Sequence, residues 1–105
     1  MTDKRIVLTT CGSQEEADKI AQHLVESRLA ACVNVIPRIK SIYRWRGKIE
    51  SAQEWLLLVK TTADKFAQVR DAIRTLHSYE LPECIALAIE DGNAEYLGWI
   101  TDTVK

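Results

Sequence analysis

Three side chains in this sequence pair a metal-ligating group with a position at the end of a predicted element. Cys11 closes the first predicted strand, and its thiolate would be a soft ligand suited to copper or zinc. His77 ends the second predicted helix, and Glu83 begins the fourth predicted strand. Each also has a structural interpretation: a thiol buried as a small hydrophobe, a histidine favoured by the helix dipole, and a solvated carboxylate. Taken singly, the residues leave both interpretations open.

The remaining cysteines and histidine carry no such chemistry. Cys32 and Cys84 lie within apolar runs, which predicts that both belong to the core. His23 lies outside the apolar stripe of the first predicted helix and should be solvated. Because the three cysteines are widely spaced and lack a CxxC pair, they predict neither a disulfide framework nor a zinc finger. We therefore expect reduced thiols and a cytoplasmic protein.

Large aromatic residues mark a long predicted hairpin. Tyr43, Trp45 and Trp55 are best interpreted as anchors of a protein interface. Alternatively, they line a cleft between subunits that binds a small anionic molecule. The charge for such a ligand would come from nearby basic residues, namely Arg44, Arg46, Lys48 and Lys60. A solvated hairpin face is the simpler interpretation of those charges.

Several function classes find no support. The sequence has no Gly-rich phosphate loop, GxSxG elbow or HExxH motif, which predicts that the protein is not an enzyme. With 14 basic and 15 acidic residues, the net charge of -1 offers no strong field for nucleic acid or an anionic membrane. No stretch approaches the roughly 18 apolar residues of a membrane span, and no signal peptide is evident.

The chain should form one domain, residues 1–105, whose first half alternates strand and helix. Ile6 to Cys11 reads as a strand, and Ser13 with Glu16 forms a capping-box pattern for a helix from about Gln14 to Arg28. A second strand follows from Ala30 to Ile36. Pro37 then predicts a bulge or a sheet edge, because proline cannot donate to a ladder.

The second half of the chain begins with the long predicted hairpin. A further extended segment is predicted from Ser41 to Trp45. It leads into a hairpin turn at Gly47, and a third strand is predicted from Ile49 to Lys60. Thr61 or Thr62 should cap a second helix, whose apolar stripe consists of Phe66, Val69, Ile73 and Leu76. A fourth strand is predicted from Glu83 to Glu90. Asn93 is the expected N-cap of a short terminal helix.

The order β-α-β-β-α-β plus a terminal helix predicts an α+β, ferredoxin-like fold with two helices on one face of an antiparallel sheet. The other face should then meet water and show alternating polar residues. Three of the four predicted strands lack that alternation. A terminal helix of about ten residues cannot cover four strands, so we expect the second face to pack against further copies of the chain.

Five segments together resemble the CutA family of divalent-cation tolerance proteins. They are Leu29–Pro37 (LAACVNVIP), Ser41–Glu50 (SIYRWRGKIE), the LVKT at 58–61, the HxYxxPE from His77 and the YLxWI from Tyr96. The resemblance runs from Cys11 to Ile100. One departure is visible: the family loop usually reads His-Pro-Tyr, whereas this chain has Ser78 in place of the proline. That change suggests a less rigid loop around His77.

The resemblance implies a cytosolic homotrimer of ferredoxin-like subunits that takes part in tolerance of divalent metals, chiefly copper. It also implies that Cys11, His77 and Glu83 together bind copper, or another divalent cation such as zinc, at a site between subunits, with no metal required for folding. Such a mixed S/N/O set favours copper(II) or zinc over magnesium or calcium. The alternative is a trimeric signalling or scaffold protein, similar to PII proteins, that binds a small anionic ligand or a protein partner.

Overall fold

A four-stranded antiparallel sheet organises the protein in a computed structural model that describes residues 2–105. The elements are β1 (Lys4–Cys11), α1 (Gln14–Glu26), β2 (Cys32–Trp45), β3 (Lys48–Thr62), α2 (Phe66–Leu76), β4 (Ile85–Ala88) and α3 (Ala94–Thr103). The strand order is β2-β3-β1-β4. The predicted α+β class and order of elements are confirmed. None of the helices in this described range is long and apolar enough to cross a membrane.

Several element boundaries differ from the prediction, and three of them have a clear local cause. Helix α1 ends at Glu26 rather than Arg28, because Arg28 takes a left-handed conformation (φ 59°) that reverses the chain. Helix α2 begins at Phe66, since a 3-10 turn over Ala63–Lys65 follows β3 first. Strand β4 is shorter than the predicted 83–90, because its pairing extends only along four residues of β1.

One core fills the space between the sheet and the helices α1 and α2. The fully buried side chains are, from the sheet, Val7, Cys11, Leu57 and Val59, and from the helices, Ala17, Ile20, Leu24, Val69 and Ile73. Cys84 packs against this cluster, as predicted. Cys32 does not. It pairs with Lys60 on the opposite face of the sheet and is only half-buried, so its predicted core position is wrong.

The hairpin between β2 and β3 follows the sequence closely. The pairing register shifts by one residue between Ile36 and Ile39, which places the predicted bulge at Pro37 and Arg38, on an edge strand. Trp45 pairs with Lys48 across a two-residue turn. Both turn residues have positive φ, 51° at Arg46 and 82° at Gly47. These angles characterise the tight turns whose twist matches that of paired strands.

The second face of the sheet carries a largely apolar surface, here called the open face. It comprises the side chains of Ile6, Leu8, Ile36, Leu56, Leu58, Ile85 and Leu87. Helix α3 lies at one end of this face, where the Lys60 ammonium is 5.7 Å from the ring of Tyr96. Ile85 and Leu87 remain about half exposed, at 50% and 49%. The terminal helix therefore leaves most of the open face uncovered, as its length predicted.

A buried hydroxyl in the core provides a direct test of the packing. Thr9 is fully buried, and within residues 2–105 its Oγ1 has no hydrogen-bond partner. Leaving a hydroxyl unpaired costs about 1–3 kcal/mol, so Thr9→Val should raise the free energy of unfolding by about 1 kcal/mol. Thr61→Val is the matched control, because the Thr61 hydroxyl donates to the Leu29 carbonyl at 2.6 Å. Urea denaturation should show the first variant stabilised and the second destabilised; equal effects would contradict this account.

Candidate metal centre

The end of β1, the first turn of α1 and the end of α2 converge on one small cluster. A thiol, a carboxylate and an imidazole, from Cys11, Glu16 and His77, each place a ligand atom within 4.8 Å of the others. Cys11 and His77 are two of the three predicted ligands, and both come from the same chain. Within residues 2–105 this is the only group of three or more such side chains close enough to share an ion.

Hydrogen bonds set the tautomer of His77. Its Nε2 lies 2.7 Å from the Thr10 carbonyl oxygen, which only accepts, so Nε2 carries the proton. The unprotonated Nδ1 accepts from the Tyr79 backbone N–H at 3.1 Å and lies 3.7 Å from Glu16 Oε1. A metal-bound histidine commonly donates its other ring N–H to a backbone carbonyl. Nδ1 is therefore the atom available to a metal, once the Tyr79 N–H moves aside.

Glu16 joins α1 to the loop that follows His77. The capping-box pattern is half realised, since Ser13 Oγ accepts from the Glu16 backbone N–H at 3.1 Å. The Glu16 side chain instead accepts from Ser78, at 2.5 Å from its N–H and 3.0 Å from its hydroxyl. Proline could make neither bond. Ser78 therefore anchors this loop by hydrogen bonds, where the sequence predicted a looser loop.

The Cys11 thiol is protonated under ordinary conditions. It is fully buried, and burial, reinforced by the negative charges of Glu16 and Glu54, raises its pKa to about 12. The cysteine is thus an inert core thiol unless a metal displaces the proton. A shallow groove on the helix side, lined in part by Ser13, Glu16 and Ser78, adjoins the cluster and offers an approach.

Glu83 lies apart from this cluster. It lines a cavity of about 720 Å³ between the β2–β3 hairpin and the loop after α2. The cavity lining consists of Thr10, Ser41, Ile42, Tyr43, Trp45, Glu54, Ser78, Tyr79, Glu80, Leu81 and Glu83. Within one chain, Glu83 is therefore not grouped with Cys11 and His77. Its predicted ligand role would require a second copy of the chain to bring Glu83 close to Cys11 and His77.

The predicted aromatic residues separate into two environments. Tyr43 and Trp45 line the cavity. Trp55 packs on the helix side against the core, and its Nε1 donates to Gln14 Oε1 at 2.7 Å. None of the four basic residues suggested for an anionic ligand lies in the lining.

Two acidic residues of this region were not predicted from the sequence to belong to a site. Glu16 matched a capping box, and that local pattern already explained it. Glu54 lies on β3 in a polar stretch, yet it is buried and accepts a hydrogen bond from the Tyr79 hydroxyl at 2.8 Å. The one available signal was position: Glu16 lies in the first turn of the helix that follows Cys11.

The donor set of the cluster suits a soft or borderline divalent cation. A thiolate with an imidazole and a carboxylate matches the preferences of zinc and copper(II), whereas magnesium and calcium prefer all-oxygen sites. Three protein ligands leave an open coordination position, unlike the closed four-ligand sites of structural zinc. A bound ion would supply a positive charge that stabilises the Cys11 thiolate.

Comparison with known proteins gives a consistent result. Residues 5–103 match the family of the CutA1 divalent ion tolerance protein. The divalent-cation tolerance protein CutA of Thermus thermophilus is 50% identical over 99 residues, which cover 94% of this chain and 96% of that protein. The human Protein CutA is 48% identical over 96 residues, which cover 91% of this chain and 54% of that protein.

The fold comparison agrees over nearly the whole chain. The crystal structure of CutA from Xylella fastidiosa has a TM-score of 0.97 at 41% identity and covers 99% of this chain and 100% of that one. The periplasmic divalent cation tolerance protein CutA from Archaeoglobus fulgidus has a TM-score of 0.94 at 48% identity, covering 97% and 99%. The chain described here therefore belongs to the CutA1 family of divalent ion tolerance proteins.

Proposed function

We propose that the protein serves divalent-cation tolerance by binding a soft divalent cation, copper(II) or zinc, through Cys11 and His77. The observation that carries this proposal is the close grouping of the thiol, the imidazole and the Glu16 carboxylate, within 4.8 Å of one another. The His77 tautomer supports it, because the Nε2–H bond to Thr10 leaves Nδ1 as a ligand atom. Glu16 is the carboxylate that lies beside Cys11 and His77 in the same chain. Glu83 remains a candidate metal ligand in the assembled trimer.

We further propose that three copies assemble through the open face and that the assembly is not an enzyme. The support is the uncovered apolar surface of the sheet, where Ile36, Ile85 and Leu87 are 40%, 50% and 49% exposed, because neighbouring exposed apolar side chains of this kind mark protein interfaces. The matched relatives are named as tolerance proteins, and the chain has no recognisable catalytic motif. We place the protein in the cytoplasm, since its three cysteines are free. Cell fractionation checks the location, because the Archaeoglobus fulgidus relative is named as periplasmic.

Metal titration tests the metal proposal. Wild-type protein should bind zinc and copper(II), and Cys11→Ala should weaken zinc binding by about 100-fold, because even loss of an orienting partner costs about 10- to 100-fold. His77→Ala should also weaken binding. His23→Ala is the matched control, since His23 is exposed and lies outside the cluster. Unchanged affinity in both cluster variants would refute the site.

A further inference from the structure

The cavity beside the hairpin has a distinctive charge. Among the described residues 2–105, its lining includes three carboxylates, from Glu54, Glu80 and Glu83, and no lysine, arginine or histidine. Glu80 is paired with Arg46, at 2.8 Å, in a solvent-exposed ion pair. Glu54 and Glu83 have no cationic partner among the residues that line the cavity. The cavity therefore favours positive charge, the opposite of what an anionic ligand would require.

Glu54 is the most unusual of these acids. Only 7% of the residue is exposed, and within residues 2–105 its side chain makes one hydrogen bond, which Oε2 accepts from the Tyr79 hydroxyl at 2.8 Å. An ionised carboxylate has room for about four hydrogen bonds, and a buried charge without a counter-charge is costly. Burial and the charge of Glu54 raise the pKa of Tyr79 well above its usual value, so the phenol stays a donor. A cation in the cavity would offset the cost of the buried carboxylate.

Aromatic rings form the other part of the lining. Tyr43, Trp45 and Tyr79 all border the cavity, and Tyr43 and Trp45 share the sheet face on which Glu54 lies. Aromatic faces attract ammonium and guanidinium groups, with tryptophan the strongest. A carboxylate combined with aromatic walls is the arrangement by which proteins recognise organic cations.

The spacing of the carboxylates argues against a metal ion in this cavity. Glu54, Glu80 and Glu83 do not form a group that could share one ion; within residues 2–105 the only such group is the cluster around Cys11. An organic cation can instead reach dispersed groups with different parts of its surface. The volume of about 720 Å³ falls within the range of about 300–1,000 Å³ typical of small-molecule sites.

We propose that the cavity bounded by Tyr43, Glu54 and Tyr79 binds a small organic cation of the ammonium or guanidinium class. The buried carboxylate supplies the counter-charge, and the aromatic rings supply the walls. This site adjoins the Cys11 cluster, since the Tyr79 N–H donates to His77 Nδ1, but neither Cys11, Glu16 nor His77 lines it, and its ligand is not a divalent metal.

A series of probes that share a shape and differ in charge tests this proposal on the full-length protein. The probes are choline, its uncharged isostere dimethylbutanol, and the related carboxylate dimethylbutanoate. Calorimetric titration should show choline binding at least tenfold more tightly than dimethylbutanol, with no binding of dimethylbutanoate. Equal affinities, or a preference for the carboxylate, would overturn the proposal.

Variants locate the binding. Glu54→Gln keeps an oxygen acceptor for Tyr79 but removes the charge, and it should weaken choline binding at least tenfold. Glu26→Gln is the matched control, since Glu26 is an exposed acid on α1, and it should leave choline affinity unchanged. Tyr43→Leu alters a ring on the hairpin without disturbing the buried carboxylate and should weaken binding by several fold. Unchanged choline affinity in both cavity variants would refute the site.

The cation could also be a side chain of a second copy. If choline does not bind while Glu54→Gln lowers the solution mass of the protein, a lysine or arginine of a neighbouring copy occupies the cavity, and the small-molecule proposal is wrong. Zinc titration of Tyr43→Leu should match the wild type, which keeps this test separate from the metal proposal.

Discussion

Leu8→Glu should reduce the solution mass of the protein from about 36 kDa, the mass of three 11.9 kDa chains, to about 12 kDa. Leu8 lies at the centre of the open face, where it pairs with Leu58 on one side and Ile85 on the other. Each leucine buried at an interface contributes about 1.5–3 kcal/mol. Burying a carboxylate instead costs several kcal/mol per ion, and a symmetric trimer would bury three.

The control for this prediction is an equivalent substitution outside the open face. Val25 is 42% exposed on α1, and Val25→Glu should leave the mass at about 36 kDa. Circular dichroism separates dissociation from unfolding, because Leu8 lies outside the buried core and the subunit should keep its helices. Light scattering is the measurement. A wild-type mass of about 12 kDa, or a trimer that survives Leu8→Glu, would end the trimer proposal.

Zinc affinity should rise about tenfold per pH unit, and so about 30-fold between pH 7 and pH 8.5. The reason is the Cys11 thiol, whose pKa burial raises to about 12, so that it is protonated throughout this range. A metal binds the thiolate, so each ion that binds must release this proton. Raising the pH lowers the proton concentration against which the metal competes, and the apparent affinity increases.

Zinc suits this measurement because it has no redox chemistry and does not oxidise the thiol. Competition with a chromophoric chelator at several pH values yields the slope. Cys11→Ala should lose both the affinity and this part of the pH dependence, whereas Cys84→Ala should retain them, since Cys84 lies outside the cluster. A wild-type affinity that does not change with pH would show that Cys11 is not a ligand.

Local patterns accounted for most of the fold. The stripe of α2 predicted the burial of Val69 and Ile73, and Pro37 predicted the bulge on an edge strand. The errors lie where neighbouring structure overrides a local pattern. Cys32 lies in an apolar run, yet its pairing with Lys60 puts it on the open face. Strand β4 is short because its partner β1 limits the pairing.

The candidate site was harder to predict. Cys11 and His77 were suggested as a pair only through the family resemblance, because they lie 66 positions apart in the chain. The place of Glu16 in the cluster was missed, because the capping box with Ser13 already explained a glutamate at this position. The acidic lining of the cavity was also missed, because Glu54 and Tyr79 lie on different elements and meet only when the loop after α2 folds over β3.

The sequence alone determined the order of the elements, the hairpin turn and a sheet apolar on both faces, because helical and strand periodicities are set by residues close in the chain. Which groups face one another depends on how the elements pack. That packing places Glu16, rather than Glu83, beside Cys11 and His77, and it buries Glu54 in a cavity without basic residues. These contacts depend on how distant elements pack, and charge and burial follow from that packing.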